Sequence, residues 1–278
     1  MISGARLVPL DCDAGHAEEK SGIVLPRARF STPCGQCPVR KYSVCRNLSG
    51  KDFERMFPHG ARIQTMRAGG TLFRQGEPFD QVFTILSGWA LTCKVFEDGR
   101  RQIIRFVLPG DLIGFEGNEA SGMAYSAEAI TDLRLCGIRH ATFFRDCACS
   151  AELAMNFATA VAREALSAWN HVGALGQQTA LGRVANLLLD LHRRVTAIGG
   201  AEGPAVHLPI SQIHIADATG LTPVHVCRTL KQMRLDGLLE FRRERLVLLD
   251  PDRLAAIAEL DPDIQLDCFA PMPPRVVA

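Results

Sequence analysis

The chain has 278 residues and a formal net charge of +1, with 47% hydrophobic and 22% charged residues. That is enough for two modest domains around sizeable cores, and a charge so near zero neither demands nor excludes nucleic acid, so any basic surface must be local. No apolar run approaches the roughly 20 residues that cross a bilayer, and no secretory pattern opens the chain, so we expect no membrane partner and a cytoplasmic location, where ten cysteines are mostly reduced thiols.

Residues 1–33 show no periodicity and read as a loose arm. The stretch STPCGQCPVRKYSVCRNLSG at 31–50 then sets Cys34, Cys37 and Cys45 in a C-x2-C-x7-C spacing. In a reducing compartment a close cysteine group points to metal or redox chemistry. Thiolates at this spacing suit an iron–sulfur cluster, a zinc site or thiol redox, and chance grouping stays open. Arg40, Lys41 and Arg46 are near enough in sequence to offset negative charge. A short helix is expected near 50–56.

From about 61 to 138 short apolar runs alternate with turn signals: ARIQTM, TLFRQ, QVFTIL, WALTCKVF and RQIIRFVL, separated by AGG, GEP, SG, EDGR and PGD. Strands of five to eight residues at this interval suggest a sandwich or jelly roll. Asp98-Gly99 is a hairpin cue and Pro109-Gly110-Asp111 a turn cue. Cys93 alternates within a strand and is expected in the core.

Near 150 the texture becomes helical. Ala154, Ala158, Val161, Ala165, Ala168, Val172 and Leu175 recur in steps of 4, 3, 4, 3, 4, 3, the spacing of a heptad seam. The helix is either packed within its own domain or the seam of a parallel homodimer, and its length and alanines favour the dimer. A second amphipathic helix follows until Gly199-Gly200 breaks it. Cys147 and Cys149, near the start of the long helix, are expected to be structural.

Residues 208–250 divide into helix, tight turn, helix and hairpin. Ser211 can cap the first helix, Gly220 makes the turn, Thr222 caps the second helix and Pro223 opens it. Val226, Leu230 and Met233 should face inward, leaving Val224, Cys227, Arg228 and Lys231 outward. Asp236-Gly237 stops the helix, and Arg242, Arg243 and Arg245 decorate the hairpin turn. This is a winged helix-turn-helix pattern, in which arginine can read guanine and lysine can reach phosphate. Arg234 extends the basic face, and the alternative is a packed helical pair with a solvated basic surface.

Taken in order, FRQGEPFDQVFTILSGWALTCKVFEDGRRQIIRFVLPGDLIGFEG, the heptad helix and ISQIHIADATGLTPVHVCRTLKQMRLDGLLEF resemble the Crp/Fnr superfamily of bacterial transcription regulators over nearly the whole chain. The resemblance implies an α+β fold with four parts: an arm over 1–50; a sensory β-roll of the jelly-roll, cyclic-nucleotide-binding type over 51–149; a dimerisation helix over 150–178; and a winged helix-turn-helix over 179–278. The nucleotide-sensing branch needs an arginine beside a serine in the roll. Here Tyr125 precedes Ser126, leaving no adjacent cation for a phosphate. CGQCPVRKYSVCRNL resembles instead the Fnr-like oxygen sensors of alphaproteobacteria, which implies that Cys34, Cys37, Cys45 and, from the roll, Cys136 hold a 4Fe–4S cluster. It implies further that the chain dimerises when oxygen is low, binds pseudo-palindromic double-stranded promoter DNA through Thr222, Val224, His225, Cys227, Arg228 and Lys231, and contacts RNA polymerase. A regulator of the same scaffold that senses nitric oxide, a haem ligand or thiol oxidation is the alternative. Recognition helices of the Fnr group carry glutamate, serine and arginine where this chain has Val224, Cys227 and Arg228, so its half-site is expected to differ. No P-loop, G-x-S-x-G or H-E-x-x-H is present, and we expect no enzyme.

Overall fold

The computed structural model describes residues 34–57, 62–117 and 122–259; the arm expected over 1–33, with Cys12, and the end of the chain from 260, with Cys268, lie outside the described residues. Two single 3₁₀ turns, Cys34–Gln36 and Arg40–Tyr42, lead into α1 (Gly50–Met56). This helix starts where it does because Ser49 and Asp52 form a reciprocal capping box, which satisfies two orphan N–H groups of the first turn.

The strands follow as β1 (Arg62–Met66), β2 (Thr71–Phe73), β3 (Gln81–Ser87), β4 (Ala90–Val95), β5 (Arg101–Val107), β6 (Leu112–Ile113), β7 (Ser126–Ala129) and β8 (Leu133–Arg139). They form two four-stranded sheets, ordered β1-β8-β3-β6 and β2-β7-β4-β5. Inward residues of both, among them Phe83, Ile85, Leu135, Val107 and Ala127, fill one apolar core. Chain reversal depends on glycine at Gly88: its φ is +87°, and a Cβ there would lie 2.2 Å from the Asp132 carbonyl oxygen, a position no other residue can take.

Helices α2 (His140–Cys149), α3 (Ala151–Gln177) and α4 (Ala180–Ala197) come next. Helix α2 had no counterpart in the sequence reading. It is held by Phe143, whose ring meets those of Phe144 and Phe157 edge-on at 5.4 and 5.2 Å, a tertiary contact with no local signature. The last unit comprises β9 (Ala201–Glu202), β10 (Ala205–His207), α5 (Gln212–Thr219), α6 (Pro223–Leu235), β11 (Leu239–Arg242), β12 (Arg245–Leu248) and α7 (Pro251–Ile257). Its sheet runs β11-β12-β10-β9, so the wing expected as a lone hairpin gains two further strands.

This unit is not separate from the roll. Leu91, Cys93 and Ile103, on the outer face of β4 and β5, share one buried cluster with Leu188, Ile215 and Met233. The expectation for Cys93 therefore holds: it is a fully buried core residue. At the rim Arg101 bridges Asp217 of α5 and Glu128 of β7, both at 2.8 Å, and Gln102 donates to the Ala218 carbonyl at 2.9 Å. Among the described residues no helix is long and apolar enough to cross a membrane.

Candidate thiolate site and nucleic-acid interface

The cysteine segment lies against the outer face of the β1-β8-β3-β6 sheet. Val39 packs with Ile63 and Leu86, and Cys37 and Cys136 border this small cluster. Cys136 reaches that face because β8 alternates: Leu135 and Gly137 point into the roll, and Cys136, opposite Ile63 and Thr84, points out. Two backbone turns shape the segment, Cys37 N–H to the Cys34 carbonyl and Arg40 N–H to the Cys37 carbonyl, each 3.3 Å. The Ser43 hydroxyl accepts from the Cys45 N–H at 3.2 Å.

Electrostatics ties the four thiols together. Burial pushes the Cys45 thiol up to about 12, and charge on Cys37 and Cys34 pushes the same way. Cys136 is raised by burial and then by Cys45, Cys34 and Cys37, and Cys34 by burial and then by Cys37. Ionised together without a cation, the four would repel one another. Arg40 opposes this at Cys34 and Cys45, while its guanidinium donates to the Leu48 carbonyl at 2.8 Å and sits 4.5 Å over the Phe53 ring. Lys41 stacks over Tyr42. Among the described residues no three His, Cys, Asp or Glu side chains are gathered so as to hold a metal ion. Cys34, Cys37, Cys45 and Cys136 are all free thiols, as are Cys93, Cys147 and Cys227.

Helix α3 runs from this segment to the C-terminal unit. Leu153, Asn156 and Ala174 are its buried residues. Of the seven seam positions, Ala158, Val161 and Val172 are exposed, and Ala154, Ala165, Ala168 and Leu175 are half-buried. Met155, Ala162 and Trp169, one position along from the seam, are exposed as well. Trp169 at 68% and Val172 at 67% are the most exposed large apolar residues of this helix. The outward stripe thus centres on Ala158, Ala165 and Val172 and leans toward Trp169. The heptad spacing alone could not choose between the two flanking lines, because both repeat every seven residues.

Between α3 and the roll, Arg105 of β5 is largely enclosed, its side chain 12% exposed. It bonds Glu164 of α3 at 2.7 Å and donates to the Leu112 carbonyl at 2.9 Å. Tyr125 donates a short hydrogen bond to Glu116, and both groups lie within electrostatic reach of Arg105. The sequence showed no cation next to Ser126; the fold brings one from two strands away, already engaged by a carboxylate.

In the C-terminal unit the expected face is assembled. Gly220 ends α5 in the left-handed conformation at φ +65°, and the Thr222 hydroxyl accepts the His225 N–H at 3.2 Å to start α6, with Pro223 in its first turn. Val226, Leu230 and Met233 are buried, each worth about 1.5–3 kcal/mol against exposure. Thr222, Val224, His225, Cys227, Arg228 and Lys231 are all exposed. Arg234 is half-buried. Arg242, Arg243 and Arg245 are exposed around a two-residue turn in which Arg243 and Glu244 both have positive φ, the conformation that matches strand twist. A shallow groove between the start of α4 and α6 is lined by Thr179, Thr222, His225, Arg228 and Gln232; Thr179 and Gln232 were not singled out from the sequence, since only tertiary packing joins them.

Comparison with known proteins agrees with both halves. A model of the cyclic nucleotide-binding domain matches residues 63–148, and one of the Crp-like helix-turn-helix domain matches 182–257. The chain is 33% identical over 236 residues to the nitrogen fixation regulation protein FixK of Bradyrhizobium diazoefficiens, covering 85% of this chain and 97% of that one. It is 30% identical over 219 residues to the transcriptional activator protein FnrL of Cereibacter sphaeroides, covering 78% and 87%. The solved structure of FixK2 from Bradyrhizobium japonicum superposes with a TM-score of 0.65 at 31% identity, covering 71% of this chain and 96% of that one.

Proposed function

The chain belongs to the Crp/Fnr family of DNA-binding transcription regulators, and on that premise we propose that it is an oxygen-responsive member whose Cys34, Cys37, Cys45 and Cys136 hold a 4Fe–4S cluster. What supports the reading is that the segment bearing Cys34, Cys37 and Cys45 lies on the sheet face to which β8 turns Cys136, with Cys37 and Cys136 bordering one small cluster. The donor set fits: each iron of a cubane takes one soft terminal ligand. Four thiolates also suit a zinc ion, and metal content tells the two apart. The bound group would supply an oxygen-labile positive centre that offsets the mutual repulsion of the thiolates.

The remaining parts belong to the chain. Residues 1–50 serve as the ligand arm, 51–149 as the roll, 150–178 as the pairing helix and 179–278 as the reader. Seating Cys45 and Cys136 together holds the segment on the roll and against α3. Pairing of two copies along Ala154, Ala158, Val161, Ala165, Ala168, Val172 and Leu175, with Trp169 beside them, sets two α6 helices about one DNA turn apart, roughly 34 Å. Arg228 reads a base edge, Lys231 and the wing arginines hold phosphates, and Thr222, Val224, His225 and Cys227 complete the surface. Joining two half-site readers raises avidity by roughly 10²–10⁴. RNA polymerase is the partner on the promoter. Sensing of a cyclic nucleotide is disfavoured because Glu164 occupies the largely enclosed Arg105.

Protein isolated without air is expected to be brown, with about four irons and matching labile sulfide per chain, and Cys136→Ala to lose both. Colourless wild-type protein with one zinc per chain would refute the assignment. Sedimentation should show dimers without air and monomers after exposure; equal dimerisation in both would refute control through pairing.

A further inference from the structure

We propose that Asn156 is the positioning residue that joins the Cys45 loop to the pairing helix, so that seating of the loop and pairing of α3 act on each other through one side-chain amide. The inference rests on the reading of Cys45 as a ligand, and names how that site is coupled to the dimer.

Asn156 is 6% exposed. Its amide nitrogen donates to the Val44 carbonyl at 3.0 Å and to the Arg46 carbonyl at 2.7 Å. Those two carbonyls bracket Cys45, so both protons of one amide fix the backbone on either side of a single thiol. An asparagine amide has two donor hydrogens, and here both are used by the loop. Withdrawal of the loop would remove both acceptors at once, together with Val44 and Leu48, which pack there with Phe143, Leu153, Phe157 and Ala160, so the two amide bonds and this apolar contact are made or lost as one.

The opposite side of the same helical turns is the pairing face: Met155 and Ala158 flank Asn156 and are exposed. One turn of α3 thus touches the Cys45 loop with one side and offers itself to a second copy with the other. A second link runs parallel. Ser150 lies within reach of Asp52, in the capping box of α1, and helps hold its carboxyl below the usual range, and the Ser150 hydroxyl accepts the Leu153 N–H at 3.3 Å to start α3. That link fixes where the helix begins; the Asn156 amide fixes where Cys45 stands relative to it. Coupling of this kind is reciprocal: whatever draws Cys45 inward favours one placement of α3, and pairing of α3 holds Cys45 more firmly.

The test compares wild type with Asn156→Ala, Asn156→Asp, which keeps the shape but turns a donor into an acceptor facing two carbonyls, and Asn156→Ser, which keeps one donor. The first readout is the dimer dissociation constant by sedimentation, with and without anaerobic iron–sulfide loading, alongside iron content. Wild type should tighten by about tenfold or more on loading, within the range of roughly 5–150-fold usual for coupled sites. The Ala and Asp variants should lose that ratio while the four cysteines still take up iron, and Ser should restore part of it. An undiminished ratio in Ala and Asp overturns the proposal. The second readout needs no iron. The rate of maleimide attachment to Cys45 is followed by peptide mass spectrometry across protein concentrations that span dimerisation. In wild type the dimer should protect Cys45, and in Asn156→Ala that dependence should vanish. Wild type that binds no iron yet protects Cys45 on dimerising would overturn the cluster and keep the joint. Labelling that ignores dimerisation in wild type would overturn the joint. Any variant too poor in iron for the first readout is decided by the second.

Discussion

Between Ser211 and Leu248 the chain closes on itself: caps, turn glycine, buried triplet and wing all come from within about forty positions. Between Cys34 and Leu48 short turns are local, but the packing of the segment runs elsewhere, to Ile63 and Leu86 of the roll, to Cys136 of β8 and to Asn156 of α3, 110 positions or more from the carbonyls it holds. A unit whose cues are mostly local takes its shape chiefly from its own sequence, although here it also packs on the roll. One stitched from distant pieces reports on those pieces, which is what a sensing element has to do. The contrast also says where each can be damaged without harm to the other.

The largest expected effect tests that independence from the reading side. Met233→Ala removes a fully buried side chain from the cluster shared with the outer face of the roll and should cost about 2–5 kcal/mol, abolishing DNA binding in a mobility-shift assay while lowering iron content far less. If iron fell as far, the two ends would not be separable.

Next comes a pH effect at the junction of the roll and α3. Burial pushes the Glu164 carboxyl up to about 7, aided by Glu116 and Asp111 and opposed by Arg105. The folded chain therefore keeps a proton that the unfolded chain releases from about pH 4.5 upward. Stability from this group is fully present below that pH and is lost as pH rises through about 7, by no more than about 3 kcal/mol. Denaturation by urea between pH 5 and 8 should show Glu164→Gln gaining on wild type across that window; a constant difference would place the carboxyl in its ordinary range.

Arg228→Ala should cost about 1–3 kcal/mol in DNA affinity and relax choice at one base pair. Competition among half-site variants checks it, and an unchanged profile would remove Arg228 from the readout. The smallest effects sharpen the comparison most directly. Ser49 and Ser211 both head capping boxes, so replacing either by alanine should cost about 1 kcal/mol. Ser49→Ala should hasten iron loss and spare DNA binding, and Ser211→Ala should do the reverse.

The same contrast explains what could be read in advance. Helix α6 was legible down to its cap because Thr222, Pro223 and the buried triplet are local signals. Strands β1 to β5 announced themselves by turns such as Asp98-Gly99 and Pro109-Gly110. Helix α2 did not, because an aromatic cluster shared with α3 defines it. Strands β9 and β10 exist through pairing with the wing and each other. At the site, the spacing of Cys34, Cys37 and Cys45 stood out in the sequence, and Cys136 came only through family resemblance. Asn156 and Arg105 gave no signal at all: one polar residue in an alanine-rich helix and one arginine in a strand acquire meaning only from what folds against them.

The Arg105–Glu164 pair has a consequence for how such a scaffold changes its stimulus. A largely enclosed guanidinium is a strong attractor for any phosphate small enough to enter, and here an internal tenant already answers it. Clearing that tenant, by a short neutral residue at position 164, would leave an unmatched cation beneath α3. The chain would then be primed to respond to a diffusible anion.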